Sequence, residues 1–458
     1  MTPSDPILIY FFHSLLFFLA LLRPQWAILA CLAILPTYLL KLSLFGIPTT
    51  VLELSIYATF IGSFCSLLFF KSKNPKSEIR NPKQYQILKH QNSKLFDIWV
   101  LNLFRASSLE FRILLGGLFW PIAAWLIITL VSALFSENTK IALGGWKAWA
   151  LDPILVLILI IRFFKPADHW KIIASLSVSS AVLSFYGLAE YFFRPWQLGD
   201  GRLDSVFDPA NYHAMFVGPI IVLAIGFILS SQTPRAWKHY LGIASAINLI
   251  ALIFTFSYGG YLAVLGGLII LGFSTLNKIW KKRMILGVLI IFIVFLALAA
   301  PTKKFQDIFE YKERSSGHAR LEIWQTSWLI FKEHPILGVG LNNFETLYRE
   351  TIPRVAFPPL EWLVAQPHNL YLALLAQTGL LGFLAFLWII IQFLKSTNRD
   401  TRNASYKLQV TSFAAMSAIL LHGLVDTPYF KNDLSVIFWL IVALTIIQTR
   451  HIALKNNQ

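Results

Sequence analysis

Apolar residues fall along this chain in long blocks separated by shorter polar stretches. Blocks that approach or reach the thickness of a hydrocarbon layer lie near residues 7–22, 25–40, 51–70, 113–135, 149–164, 171–193, 212–230, 240–257, 259–276, 283–300, 369–394, 408–424 and 433–449. The first two are short and the 149–164 block is marginal, so the pattern predicts an all-α, polytopic transmembrane helix bundle of about 12–13 spans. Pro121, Gly187 and Pro219 lie inside these blocks, where neighbouring helices can cover the backbone they disturb. The first block has no basic residue ahead of it and no small-residue cleavage site after it, and reads as a retained helix.

Two polar breaks are much longer than the rest, and they divide the chain. N-terminal transmembrane helices (1–70) are followed by a basic cytoplasmic loop (71–112), central helices (113–300), a long extracytoplasmic loop (301–368) and C-terminal helices (369–458). A loop as long as 301–368 between membrane helices usually serves function. Within it, RLEIWQTSWLIFKEHPILGVG sets Leu321, Trp324, Trp328 and Phe331 at helical spacing, and tryptophan favours the bilayer interface. An amphipathic interfacial helix lying over the bundle is expected there.

Composition agrees with the blocks. Hydrophobic residues make up 56% and charged residues 14% of the 458, against about a quarter charged in a soluble chain. The net charge of +16 raises the question of nucleic acid, and its distribution answers it. Segment 71–112 holds nine basic and three acidic residues, 277–283 is +4, 395–407 is +3 and 231–239 is +2. With thirteen spans these segments share one side with Arg23, Lys165, Lys171, Arg450 and Lys455, a side that sums to about +19 while the other is near neutral. The basic side is therefore read as cytoplasmic, and no nucleic-acid partner is expected. Cys31 and Cys65 both lie in apolar blocks and make neither a disulfide framework nor a metal cluster.

The opposite face collects the candidate chemistry. Arg194 and Arg202 lie in RPWQLGDGRLDSVFDPANYHAMF, Arg314, His318 and Arg320 in ERSSGHARLEIW, Arg349 and Arg354 in YRETIPRV, His368 in PHN, and His422 with Asp426 in HGLVD. Arginine presents a rigid fork of donors to phosphate oxygens, and a neutral histidine can take a proton from a hydroxyl. Cations beside histidine at an outer interface suit an anionic, lipid-linked substrate. Each group also has a plainer use: an arginine at a helix end can snorkel, Asn369 can cap the helix that follows it, and His422 and Asp426, four apart, can pair on one helical face. Glu53, Asp152, Arg162 and Glu190 lie in or near the apolar blocks, mostly at their ends. The chain carries no GxxxxGK[ST], no GxGxxG opening a helix after a strand and no HExxH, so neither a nucleotide nor another cofactor nor a metal is expected.

Three stretches resemble the O-antigen ligase and polymerase superfamily of bacterial membrane glycosyltransferases. GRLDSVFDPANYHAMFVGPII is similar to the family's aromatic and Pro-Asn core leading into a helix, with DPAN standing where a tighter PN is usual. GHARLEIWQTSWLIFKEHPILGVGLNNF is similar to its outer-loop signature, an arginine before a tryptophan helix and then a PxxGxGxxxF turn. HNLYLALLAQTGLLG fits its histidine motif, HN, nine residues and GxxG, with His368, Asn369, Gly379 and Gly382 in place. Where the family commonly has an arginine in a Ser-Arg-Gly turn, TFSYGGYLA places Tyr258.

The resemblance implies transfer of a glycan from an undecaprenyl-diphosphate carrier to an acceptor hydroxyl of a lipid core, a growing polysaccharide or a protein. The enzyme would sit among the lipids of the bacterial cytoplasmic membrane, crossing it many times, with its active site facing the periplasm or exterior. It implies His368 as base and Arg320 at the departing diphosphate, with Arg202 and Arg354 as further candidates for that anion. His318, Asn369, Tyr258, His422 and Asp426 are possible supports, and Gly379 and Gly382 allow close helix packing. Two other readings stay open. A transporter would place functional charges near the midplane between paired halves, and a non-catalytic envelope-assembly protein would need no base.

Overall fold

The structure, a computed structural model, describes residues 6–44, 47–71, 114–198, 201–207, 209–299, 316–397 and 404–456. Nearly all of the expected basic loop, 71–112, and Arg314 lie outside these. The helices are α1 (Pro6–Leu22), α2 (Pro24–Ala33), α3 (Val51–Lys71), α4 (Phe119–Leu134), α5 (Thr139–Trp146), α6 (Asp152–Phe163), α7 (His169–Phe193), α8 (Asn211–Leu229), α9 (Arg235–Phe254), α10 (Tyr258–Thr275), α11 (Lys278–Ala299), α12 (Ser316–Glu333), α13 (Phe344–Thr351), α14 (Leu370–Ser396), α15 (Ala404–His422) and α16 (Asn432–Asn456). A single turn of π-helix, Lys147–Leu151, joins α5 to α6.

Among the described residues, nine helical stretches are long and apolar enough to cross a membrane. The chain is a multi-pass, helical membrane protein. Two of the expected blocks are broken or diluted for physical reasons. The 25–40 block does not continue as one helix: α2 stops at Ala33, a 3₁₀ turn containing Pro36 follows, and the chain then pairs Lys41–Leu44 with Ile47–Thr50 as an antiparallel hairpin. In α15 the apolar run is interrupted by Gln409, Thr411 and Ser412, all buried against other helices.

Small residues bring the helices that carry the site into close contact. A methyl group added at Gly267 of α10 would stand 3.0 Å from the Ala414 carbonyl of α15, one at Gly266 would meet Leu421, and one at Gly259 would lie 2.6 Å from Val425. These glycines, on the face of α10 toward α15, set the start of α10 against the turn that follows α15.

Helix α14 is broken. Gly379 has φ 63° and ψ −170°, so the helix ends and restarts, freeing backbone groups on both sides. The PILGVG segment fills them: the amides of Val339 and Gly340 donate to the Ala376 and Gln377 carbonyls at 3.0 Å, and the amide of Leu380 donates to the Pro335 carbonyl at 2.8 Å. A methyl group at Gly379 would collide with the Ile336 carbonyl. Irregular backbone in a membrane protein persists where neighbouring protein satisfies it in this way.

Helix α12 forms where the sequence places it and packs on α14 and α13. Its contact face is made of small and branched side chains. Ala319, Ile323, Thr326, Ser327 and Ile330 are buried, while Leu321 and Trp328 are 44% and 46% exposed. Small and branched side chains let α12 approach closely, and the Thr326 and Ser327 hydroxyls donate to the carbonyls of Glu322 and Ile323 in their own helix. Ile323, Ile330, Val339, Phe344, Tyr348, Ile352 and Val364 form a small core of their own above the break in α14.

Candidate functional site

The site gathers helix ends. Pro367 leads into His368, whose φ of 50° lies in the left-handed region that costs a residue with a Cβ roughly 1–3 kcal/mol. The conformation is held from three directions. The Asn369 side chain accepts from the amides of Tyr371 and Leu372, both at 3.0 Å, capping α14. Its amide nitrogen donates to the Leu424 carbonyl at 2.9 Å, and the Leu370 amide donates to the Gly423 carbonyl at 2.8 Å. The turn after α15 is thus fastened to the start of α14, and Asp426 meets His368.

Asp426 is the hub. Its Oδ1 lies 2.8 Å from His368 Nδ1, and its Oδ2 accepts from Asn211 Nδ2 at 2.9 Å. Arg320 of α12 places one guanidinium nitrogen 3.7 Å from Oδ2 and donates another to the Val425 carbonyl at 2.5 Å. Arg202 donates to Asn211 Oδ1 at 2.6 Å and, through Nε, to the Thr255 carbonyl at 2.7 Å. His368, Arg320 and Arg202, distant in sequence, therefore share one connected group. Burial pushes the Asp426 carboxyl up, but the hydrogen bond from His368 and the charges of His368, Arg320 and His422 outweigh it and hold the group below the ordinary carboxylate range. Asp426 is ionised at neutral pH and can only accept, so His368 Nδ1 carries a proton. In the neutral ring Nε2 then holds the lone pair. The Asp426 side chain is 4% exposed, while those of His368 and Arg320 are 24% and 30% exposed, so an incoming molecule can touch both while the carboxylate stays covered.

The other candidates fall into two sets. Tyr258 opens α10 in the turn capped by Ser257, whose side chain accepts from the Gly260 amide. The next residue, Gly259, lies against His422 and Val425, so the turn that carries Tyr258 abuts the site. His422 ends α15, and the chain then leaves the helix, so Asp426 does not share a helical face with it as expected; the Asp426 side chain turns to His368. His318 lies two residues before Arg320 with Nε2 3.8 Å from Glu322 Oε1. Arg354 is elsewhere: it pairs with Glu333 at 2.6 Å, about 20 Å along α12 from Arg320. Arg194 and Arg349 are exposed.

Sequence reasoning missed Asn211 as a site residue, although it stood in the quoted DPAN stretch. Its spacing of 215 residues from Asp426 left no local signal of their contact. Glu53, flagged only as a charge near a block, turns out to be closely bound. Thr50 and Glu53 make a reciprocal capping box, each side chain accepting from the other's amide at 3.2 Å. Lys147 Nζ lies 2.7 Å from Glu53 Oε2, and Asn432 Nδ2 donates to Oε1 at 3.2 Å.

Residues 243–387 match the O-antigen ligase family. This segment belongs to the O-antigen ligase domain family. The ligase segment contains Arg320, His368, Asn369, Tyr258 and the break at Gly379, whereas Arg202, Asn211 and Asp426 lie outside it on either side. The chain is also similar to an uncharacterized protein of Haemophilus influenzae, 24% identical over 205 residues, which cover 41% of this chain and 50% of that one. The chain therefore spans about half the length of this curated relative.

Proposed function

We propose that this protein transfers a glycan from an undecaprenyl-diphosphate carrier to an acceptor hydroxyl on the extracytoplasmic side of the bacterial cytoplasmic membrane. The observation that carries the proposal is the meeting of His368, Arg320 and Arg202 around Asp426, next to and within the O-antigen ligase segment. The sidedness rests on charge: α10 runs from the site at Tyr258 to NKIWKKR, and α14 runs from the site at Leu370 to Lys395, so the basic segments lie at the remote ends of the same helices.

In this reading His368 Nε2 takes the proton of the acceptor hydroxyl as its oxygen attacks the anomeric carbon. The bond from that carbon to the diphosphate breaks, with inversion, and the electron pair leaves on the diphosphate. Arg320 and Arg202 offer N–H donors to that developing charge, and Asp426 stabilises the imidazolium through Nδ1–H. The donor brings its own activation in the diphosphate leaving group.

The test is transfer by membranes containing His368→Ala, with protein amount and melting compared with wild type. A loss on the order of 10²–10⁴-fold is expected from a folded protein. Undiminished transfer removes His368 from the reaction.

A further inference from the structure

Asn211 joins the group but takes no part in the steps above. It stands between Arg202 and Asp426, with Oδ1 accepting from Arg202 at 2.6 Å and Nδ2 donating to Asp426 Oδ2 at 2.9 Å. Its orientation is fixed by chemistry, since a guanidinium only donates and an ionised carboxylate only accepts. Arg202 is also tied through Nε to the Thr255 carbonyl in the turn before α10, and Asp426 to His368. Resting on the glycan-transfer reading, we propose that Asn211 is a positioning residue: a neutral spacer that sets the phosphate-binding cation Arg202 at a fixed distance from the Asp426 and His368 base. A diphosphate seated on the cations then presents its anomeric carbon to His368 in one register.

The spacer needs one acceptor and one donor at this reach. A carboxylate at 211 satisfies Arg202 but faces the carboxylate of Asp426. An aliphatic side chain satisfies neither, and leaves Asp426 Oδ2 with Arg320 at 3.7 Å. A role confined to starting α8 makes the opposite demand. Asn211 is the first residue of that helix, where a negative charge is favoured by the helix dipole, so a purely structural residue would be replaced by aspartate without loss.

The experiment measures kcat and KM in membranes, using the carrier-linked glycan that accumulates in cells lacking the gene as donor. Asn211→Asp is expected to fold as wild type and to lose about tenfold to a hundredfold in kcat, and Asn211→Ala to show the same kinetic loss. The deciding arm is the swap of Asn211→Asp with Asp426→Asn. The new carboxylate then takes both Arg202 and the new amide at 426, whose oxygen still accepts from His368, so the double variant should exceed either single one by about tenfold. Wild-type kcat and KM in Asn211→Asp, or a double variant no better than the weaker single one, overturns the inference while leaving the transfer reading intact. Normal transfer by His368→Ala overturns that reading and the inference with it.

Discussion

Two buried carboxylates meet cations at this end of the bundle, and they are held in opposite ways. Glu53 is saturated: Lys147 at 2.7 Å, the Thr49 hydroxyl at 2.8 Å, the Thr50 amide and Asn432 at 3.2 Å occupy both of its oxygens. Those contacts fasten the start of α3 to the α5–α6 junction and to the start of α16. Asp426 binds His368 and Asn211 tightly, yet its cation stands back at 3.7 Å while making its shorter bond to a backbone carbonyl. A guanidinium has five donors, and this one reaches the surface with capacity to meet phosphate. Closure at Glu53 serves the fold; slack around Asp426 leaves room for chemistry.

The contrast can be broken at its weakest joint, the slack cation. Arg320→Lys keeps the charge but not the fork, and is expected to lower donor use on the order of a hundredfold, seen as a fall in kcat/KM for the carrier-linked glycan. Normal kinetics would show that Arg320 only holds the Val425 turn. On the closed side, Glu53→Gln should cost about 1–3 kcal/mol in denaturant or thermal melting, because Lys147 and its neighbours lose a buried ionised acceptor. Its transfer rate per folded molecule should stay at the wild-type value. The smallest effect belongs to Arg354→Ala, an exposed pair far along α12, which should leave both melting and transfer unchanged. A fall in transfer there would return Arg354 to the anion site.

Much of the helical architecture was legible in the sequence because hydrophobic blocks are properties of composition along a line. The HN that opens α14, the glycines at 379 and 382 and the arginine in the first turns of α12 were visible as a local pattern. The partners were not. Asp426 lies 58 residues from His368, and four-residue spacing pointed it at His422 instead, a pairing that required α15 to continue past its end. The contact face of α12 was not legible, because tryptophan spacing reports apolarity, while close contact with α14 selects small and branched side chains at Ala319, Ile323, Thr326 and Ser327. The 25–40 block has the hydrophobicity of a span, but Pro36 and the hairpin that follows deny it the length.

Sidedness is the claim on which the proposed reaction stands, since that reaction requires a carrier-linked glycan to reach His368 from outside the cytoplasmic membrane. It is measured most directly by single cysteines placed in a background in which Cys31 and Cys65 are replaced, treated in spheroplasts with a membrane-impermeant maleimide. Phe357→Cys, in the exposed loop between α13 and α14, should label at once, and Lys278→Cys, at the basic start of α11, only after permeabilisation. The reverse pattern would put His368, Asp426 and Arg320 on the cytosolic face and contradict the proposed reaction.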